Sequence, residues 1–386
     1  MMQKSSKKDD MQSIIIKNYK NFEQLELDSL SKVNLIVGNN NVGKSTLLEA
    51  ILLLTTEGSM ASIYDVLEMR GELYNPSFSD LQIEKQIESF TSLISQRSLE
   101  LFMLEGITMS SKNNKTQKLL NLKIVGYIET QEGGIDQSIR RNIIEYADFS
   151  NYQTSAEYGL LVNVSLNDEK KEFLVPFNRR FRAVYQTQKK PAIQYVKTAQ
   201  ITKDENALLF DRIAMTASEE EIIKALNIIE PGIDAINFLM DEYKPESRSM
   251  RERPEQQRVP FVVYKNSTKR VRLSSMGDGM NRILTIILAL LNAKDGFLLI
   301  DEFGSGLHYS VQTKLWEIVF SLSKKHNVQV FATTHSNDCI KSFVQADNDN
   351  QGKLIRLEEI EGTVMPVPFN DKDRLKFAVD QNIEIR

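Results

Sequence analysis

The sequence contains very few cysteines and histidines. Cys339 is the single cysteine among 386 residues, so no intrachain disulfide can form and a disulfide-stabilised secreted scaffold is excluded. The three histidines are His308, His326 and His335. A structural zinc site of the usual kind combines four Cys and His ligands, so it would need all three histidines and the single cysteine at one place, and none is expected. Chemistry that depends on a zinc centre or a disulfide is therefore not expected.

Long apolar runs are also missing. The longest strongly apolar run, Ile283–Leu291, has nine residues, whereas an α-helix needs about 20 to cross a membrane. Residues 1–13 are polar, which predicts that no signal peptide is present. These features predict a soluble, cytoplasmic chain that does not engage a membrane.

The sequence has no excess of basic charge. Lys and Arg number 48 against 52 Asp and Glu, which gives a net charge of −4. This balance excludes a globally basic nucleic-acid coat, although a local basic patch stays open. Hydrophobic residues make up 41% of the chain, which is enough for a sizeable core. At about 150 residues per domain, the length predicts two domains or one large domain with an insertion.

Densely apolar segments occur at both ends of the chain, and a more polar region separates them. Near the N-terminus the pattern predicts two short strands, then the buried strand Val33–Val37 and a helix. From Phe261 onward, buried strands alternate with helices, which predicts a mainly parallel sheet covered on both faces. We therefore assign residues 1–57 and 261–386 to an α/β head and residues 58–260 to an α+β insertion, in which residues 205–240 are helical.

A glycine-rich loop joins the predicted strand Val33–Val37 to the following helix. The loop fits the P-loop pattern GxxxxGK[ST], in which backbone N–H groups and a helix N-terminus surround phosphates. Lys44 is expected to reach the β- and γ-phosphates of a nucleotide and Ser45 to bind Mg²⁺. This pattern alone does not distinguish a kinase, a GTPase and an ATPase. The expected nucleotide-binding residues of the loop are Gly38, Asn39, Asn40, Asn41, Val42, Gly43, Lys44, Ser45 and Thr46.

Two acids follow a second predicted buried strand, Phe297–Ile300. In a parallel sheet Asp301 and Glu302 would lie at the same edge as the P-loop. Asp301 is expected to hold Mg²⁺ through water, and Glu302 to polarise the attacking water as a catalytic base. The alternative is a strand that ends in a solvated acidic turn.

Two more motifs fall at predicted element ends. The Ser- and Gly-rich turn at residues 273–279 opens a predicted helix, so it is either a second anion site or a plain helix cap. His335 follows the predicted buried strand Val328–Ala332, where it could bond a γ-phosphate or stand as an ordinary edge histidine. Neither motif decides the function by itself.

The order of these motifs resembles that of ABC-type ATPase heads. GNNNVGKS, SSMGDG, FLLIDEFGSGLH and FATTHS match the P-loop, signature, Walker B with D-loop, and switch-histidine motifs of that fold. With KNYKNF near the start and MGDGMNRIL in the signature helix, the chain is similar to the OLD-like ATPases, relatives of RecF and of SMC-type heads. The similarity covers residues 14–57 and about 205–386. It implies an ABC-type head with an antiparallel N-terminal β-subdomain.

The resemblance also implies roles for single residues. Lys44, Glu302 and His335 would be catalytic, and Ser45 and Asp301 would hold Mg²⁺. The signature departs from the usual LSGGQ, with Asp278 where Gln is usual. Ser275 and Gly277 would contact the γ-phosphate of a nucleotide held by a second copy, and Asp278 and Gly279 complete the expected nucleotide-binding residues of the signature.

The same resemblance implies partners and a mechanism. With one P-loop and one signature per chain, a homodimer or higher homo-oligomer would enclose ATP between copies. Hydrolysis to ADP and phosphate would release the closed state, so a conformational change is the product. Free-standing OLD-like ATPases often act in bacterial anti-phage defence. The resemblance therefore implies that this chain is the sensor or motor of such a system and that a separate effector protein, a nuclease or a toxin, acts with it. About 50 residues follow His335, too few for a Toprim nuclease domain.

The main alternative is a RecF-like DNA-repair ATPase that clamps DNA. Residues 178–190 (NRRFRAVYQTQKK) contain five basic residues, no acid and two aromatics, so they could contact a phosphate backbone or form a solvated edge. The acidic net charge weighs mildly against this alternative. A non-catalytic ATP-locked scaffold conflicts with the intact motifs, and a transporter subunit conflicts with the large insertion.

Overall fold

The computed structural model describes residues 9–74, 83–132, 138–148, 158–175, 192–198, 203–240 and 258–368. Within these ranges the strands are β1 Ser13–Tyr19, β2 Phe22–Leu27, β3 Val33–Gly38, β4 Ile107–Lys112, β5 Gln117–Glu132, β6 Ser138–Ile144, β7 Tyr158–Leu166, β8 Glu169–Leu174, β9 Ile193–Val196, β10 Ile233–Met240, β11 Arg258–Tyr264, β12 Arg270–Arg272, β13 Phe297–Ile300, β14 Gln329–Thr333, β15 Gly352–Ile360 and β16 Thr363–Pro368. The helices are α1 Lys44–Thr55, α2 Met60–Met69, α3 Ile83–Thr91, α4 Leu99–Leu104, α5 Lys203–Asp211, α6 Ala217–Ile229, α7 Asp278–Asn292, α8 Tyr309–His326 and α9 Asn337–Ala346.

A mainly parallel sheet forms the centre of the molecule. Its strand order is β16–β15–β3–β14–β13–β9, and all neighbours are parallel except β16, which runs antiparallel to β15. Every residue of β3, β13 and β14 is buried, as expected for parallel strands covered on both faces. This arrangement confirms the predicted α/β fold class.

Alternate residues of the central strands enter two different hydrophobic cores. In β13, Leu298 and Ile300 join the core that contains α7 and α8. Phe297 and Leu299 join the core that contains α1 and α2. The period of two places side chains on opposite faces of the sheet, so the apolar run of β13 satisfies both layers.

An antiparallel sheet covers the second core. Its order is β2–β1–β4–β5–β7–β8, with β6 paired to the distal half of β5. The first two of these strands come from the predicted head, and β4 to β8 come from the predicted insertion. The insertion also supplies β9, the edge strand of the central sheet, which pairs with β13. The predicted insertion therefore contributes strands to both large sheets.

The prediction that residues 205–240 are helical is wrong for the last part of that range, residues 233–240. Helices α5 and α6 occupy most of that range, but Ile233–Met240 is strand β10 and pairs with β11. Ile236 and Phe238 are buried while Asn237 is exposed, a period of two that the short apolar run concealed. Strand β12 completes this small sheet and leads into the signature turn.

Two sequence features lie outside the described residues. They are the basic segment 178–190 and residues 371–379, for which the sequence pattern predicts a helix. Among the described residues, no helix combines the length and apolar character that a membrane span requires.

An aromatic stack anchors the chain where it leaves β13. Phe303 and Trp316 are both fully buried, and their rings lie nearly parallel with centroids 3.6 Å apart. Trp316 also meets Phe343 of α9 edge-on, with centroids 4.9 Å apart. Such contacts add to the hydrophobic stabilisation of the buried area. Because Phe303 follows Glu302 directly, the stack holds the chain beside the acidic pair.

We expect the Trp316→Ala variant to lower the free energy of unfolding by about 3–5 kcal/mol, because truncation leaves a cavity between α8, α9 and Phe303. Urea unfolding followed by circular dichroism measures the loss. Trp316→Phe keeps most of the stack and is the matched control, with a smaller loss. Equal losses in both variants would contradict this account of the stack.

Candidate active site

The P-loop lies between β3 and α1, as the sequence predicts. Gly38 and Gly43 have φ angles of 145° and 103°, which favour glycine, and Asn41 has a φ of 68°. A Cβ on Gly43 would lie 2.8 Å from the Phe22 ring, so the loop fits only without a side chain there. The glycines thus allow backbone N–H groups to wrap an anion at the N-terminus of α1.

The P-loop lysine is held inside the loop. Lys44 is 6% exposed, and its Nζ donates hydrogen bonds to the carbonyl oxygens of Gly38 and Asn39, both at 2.9 Å. Burial lowers the pKa of Lys44, while Glu302 and Asp301 act in the opposite direction. A bound triphosphate would offer this ammonium stronger acceptors than the two carbonyls.

The carboxylate of Asp301 receives hydrogen bonds from three hydroxyl groups. Ser45 Oγ lies 2.9 Å from Oδ1 and 3.0 Å from Oδ2. Thr333 Oγ1 donates to Oδ1 at 2.7 Å, and Thr198 Oγ1 donates to Oδ2 at 3.0 Å. Ser45 and Asp301 therefore bring together the oxygen ligands that Mg²⁺ prefers, so the residues present fit this ion.

Glu302 and His335 form a pair at the same edge of the sheet. His335 Nδ1 lies 2.7 Å from Glu302 Oε2, and the His335 side chain is 56% exposed. Glu302 faces the cleft that the P-loop lines. A carboxylate and an imidazole in contact beside a phosphate-binding loop can orient a water molecule and bond a terminal phosphate.

The cleft beside the P-loop has a volume of about 770 Å³, and basic side chains line it together with the P-loop. Lys20 and Arg70 both line it and both bind Glu49, at 2.7 Å and 2.6 Å. Glu49 belongs to α1, one helical turn after Ser45, and its side chain is only 2% exposed. Burial lowers the pKa of Lys20, and Glu49 opposes this shift.

The signature turn is exposed and lies apart from this cleft. Ser275 is exposed, with its Oγ donating to the Arg272 carbonyl at 2.6 Å, and Gly277 has a φ of 100°. Gly279 lies close to Gly306, since a Cβ on Gly279 would lie 3.1 Å from the Gly306 carbonyl oxygen. Asp278 is the first residue of α7. Among the described residues that line the cleft, none comes from this turn.

Sequence reasoning thus placed the P-loop, Asp301, Glu302 and His335 at one edge, and the structure brings them together. It missed Thr198, Thr333 and Arg282, which all bond the acidic pair. Thr333 carried a usable signal, because it directly follows the predicted buried strand Val328–Ala332. Glu49 also carried one, since a charge in an apolar helix needs a partner.

Together, the P-loop after β3, the acidic pair after β13, which is two strands away in the same mainly parallel sheet, and the antiparallel flanking sheet define an ABC-type P-loop ATPase head. The chain belongs to the AAA ATPase domain family, whose model matches residues 11–340. It is an ATPase.

Several known proteins are similar to this chain over most of its length. The chain is 27% identical over 382 residues to a Helicobacter pylori protein named ATP/GTP phosphatase, with 92% of this chain and 94% of the relative covered. It is 23% identical over 385 residues to the DNA replication and repair protein RecF of Staphylococcus epidermidis, with 90% and 98% covered. Among solved structures, an SMC head bound to the C-winged helix domain of ScpA matches with a TM-score of 0.49 and 15% identity, covering 95% of this chain and 99% of that chain. The SMC head domain from Thermotoga maritima matches with a TM-score of 0.43 and 14% identity, covering 94% and 99%.

We expect Glu49→Leu to lower the free energy of unfolding by about 3–5 kcal/mol, because it leaves Lys20 and Arg70 without their shared buried partner. Thermal and urea unfolding measure this loss. Glu72→Gln is the control, since Glu72 is 33% exposed and pairs with the exposed Arg97, and such pairs contribute about 0–1 kcal/mol. A Glu49 variant as stable as the control would show that the buried cluster does not support the cleft.

Proposed function

We propose that two copies of this chain enclose two ATP molecules, each held by the P-loop of one copy and the signature turn of the other. The observation that carries this proposal is the separation of the two motifs within one chain. The P-loop lines the cleft, whereas Ser275 and Gly277 are exposed to solvent outside it. An exposed Ser- and Gly-rich turn at the start of the long helix α7 offers N–H and hydroxyl donors to an anion. A two-fold pair supplies one such turn to each cleft.

In this proposal each site residue has a defined task. Residues 38–46 wrap the phosphates, and Lys44 leaves its carbonyl partners to contact the β- and γ-phosphates. Ser45 and Asp301 hold Mg²⁺, which neutralises phosphate charge when bound. Glu302 accepts a proton from the attacking water, and His335 donates to the γ-phosphate. In the signature of the second copy, Ser275, Gly277 and the start of α7 at Asp278 and Gly279 contact the same phosphate.

Hydrolysis then acts on the association of the copies. The γ-phosphate is held from both sides, so ATP favours the closed pair by its additional contacts in that state. Loss of that phosphate removes the shared ligand and lets the pair open. ATP turnover is thereby converted into a change of shape.

A complementation experiment tests the shared site. Lys44→Ala disables a P-loop and leaves the signature intact, while Ser275→Arg blocks a signature and leaves the P-loop intact. Each variant alone should lose ATPase activity by at least about 100-fold, comparable to other losses of phosphate-binding groups. Mixing them should restore turnover, because a mixed pair contains one complete site.

Two controls make the result decisive. Mixing Lys44→Ala with a second P-loop variant, Gly43→Ala, should restore nothing, since no mixed pair then has an intact P-loop. Size-exclusion chromatography of Glu302→Gln with ATP and Mg²⁺ should show a stable dimer. If the Lys44→Ala and Ser275→Arg variants stay inactive when mixed, although the Ser275→Arg variant still binds ATP at its intact P-loop, the shared-site proposal is wrong.

For the biological role, we propose an OLD-like sensor or motor of an anti-phage defence system that acts with a separate effector protein, a nuclease or a toxin. The resemblance of the signature and switch motifs to OLD-like ATPases supports it. The similarity to RecF over 90% of the chain favours a second candidate, a DNA-binding repair ATPase.

The two roles predict different results. A defence role predicts that cells carrying this gene with its adjacent gene survive phage challenge, and that Glu302→Gln abolishes protection. A RecF-like role predicts ATP-dependent binding to duplex or gapped DNA whose affinity falls steeply with salt. Plaque counts and a filter-binding titration against salt measure these outcomes. DNA binding without protection would overturn the defence role.

A further inference from the structure

The side chain of Arg282 connects three parts of the molecule at the catalytic edge. It lies in the second turn of α7, the helix that the signature turn opens. Its Nη1 donates to the Lys197 carbonyl at 2.5 Å, just after β9. Its Nη2 donates to the carbonyl oxygens of Asp301 at 2.7 Å and Glu302 at 3.3 Å. One guanidinium thus holds the backbone of both acids against α7.

Glu302 has a backbone conformation that needs such support. Its φ is 52°, in the left-handed region that residues other than glycine rarely adopt. A side chain in this region costs free energy and persists where surrounding contacts fix it. Its N–H donates to Thr333 Oγ1 at 2.9 Å, and its carbonyl accepts from Arg282. The two sides of this residue are therefore tied to two different elements, β14 and α7.

We infer that Arg282 is a positioning residue for hydrolysis, which fixes the left-handed turn of Glu302 and so aims the catalytic carboxylate at the cleft. Without the guanidinium, the carbonyl oxygens of Asp301 and Glu302 lose their hydrogen-bond donor. The backbone of Glu302 can then relax toward the right-handed region. The Glu302 carboxylate then points away, while the P-loop and its Lys44 contacts stay intact.

The planar fork of an arginine is specifically required. Its two Nη atoms reach carbonyl groups on two chain segments at once, after β9 and after β13. A lysine ammonium is a single point donor and cannot span both segments in that geometry. The inference rests on the proposed function of Glu302 as the base and on contacts within one copy, so it holds whether or not two copies share a site.

The arrangement has a further consequence for α7. Because Arg282 is rigidly part of this helix, a shift of α7 moves the carbonyl contacts of Glu302. The position of α7 is thereby linked to the orientation of the Glu302 carboxylate in the same chain.

The test compares Arg282→Lys and Arg282→Met with a matched control, Arg258→Met. Arg258 is also part-buried and binds Asp211 at 2.6 and 2.8 Å, away from the catalytic edge. Both Arg282 variants should lower kcat by about 10- to 100-fold, the usual effect of a catalytic group displaced by about 1 Å. The affinity for a non-hydrolysable ATP analogue should stay within about twofold, because the P-loop is untouched. Arg258→Met should lose stability without this selective loss of kcat.

A double-variant comparison separates positioning from general support. If Arg282 acts through Glu302, then Arg282→Met should add less than about twofold to the loss already caused by Glu302→Gln. Thr333→Val should resemble Arg282→Met, and Thr333→Ser, which keeps the hydroxyl, should retain turnover. If Arg282→Met does not fold, Arg282→Lys and the Thr333 pair carry the same comparison.

Three results would overturn the inference. Arg282→Lys with unchanged kcat would show that the fork is not needed. Losses of kcat and analogue affinity that match each other would indicate a general structural role. A full multiplicative loss in the Glu302→Gln background would show that Arg282 acts independently of the base.

Discussion

The carboxylate of Asp301 is the point on which the catalytic edge depends. It accepts hydrogen bonds from Ser45 at the start of α1, Thr333 at the end of β14 and Thr198 after β9. A carboxylate has about four acceptor positions and can serve several donors at once. Three elements that are far apart in the chain therefore share one anion. The distance between the P-loop and the strand that carries the acids is fixed by this shared contact.

The strand order makes this contact geometrically necessary. Strands β3, β14, β13 and β9 are neighbours and parallel, so their carboxyl ends emerge at one edge. In that register Ile36 lies beside Thr333, and Ile300 lies beside both Ala332 and Val196. The phosphate loop, the acids, the histidine and the segment after β9 thus occupy one line along the sheet. The strand order of the sheet alone therefore brings the backbone segments that carry the site residues together.

Sequence patterns predicted the central layer well because its signals are local. The strand Phe297–Ile300 agrees with its predicted bounds, and the P-loop lies where its glycines require. The failures have physical reasons. Residues 233–240 form a strand because β11 pairs with them, a long-range contact that no local window contains. The pairing of β4 with β1 is equally non-local, so the extent of the antiparallel sheet was not predictable.

The positioning contacts were hidden for a related reason. Arg282 and Glu49 lie inside helices whose apolar residues dominate the pattern, and the partners described above are 19 or more positions away. A motif search finds residues that touch substrate, because their spacing is set by the ligand. Residues that hold those groups in place depend on the tertiary packing of one chain, and they become recognisable only in the folded structure.

Trp316, whose ring stacks on Phe303, has one last consequence. It is the sole tryptophan of the sequence, and the residue it stacks on is bonded covalently to Glu302. Its near-ultraviolet emission therefore comes from a single place in the molecule, directly behind the catalytic turn. Any rearrangement of that turn during the nucleotide cycle alters the surroundings of this ring. The protein thus carries an intrinsic optical reporter of its own catalytic edge, with no label required.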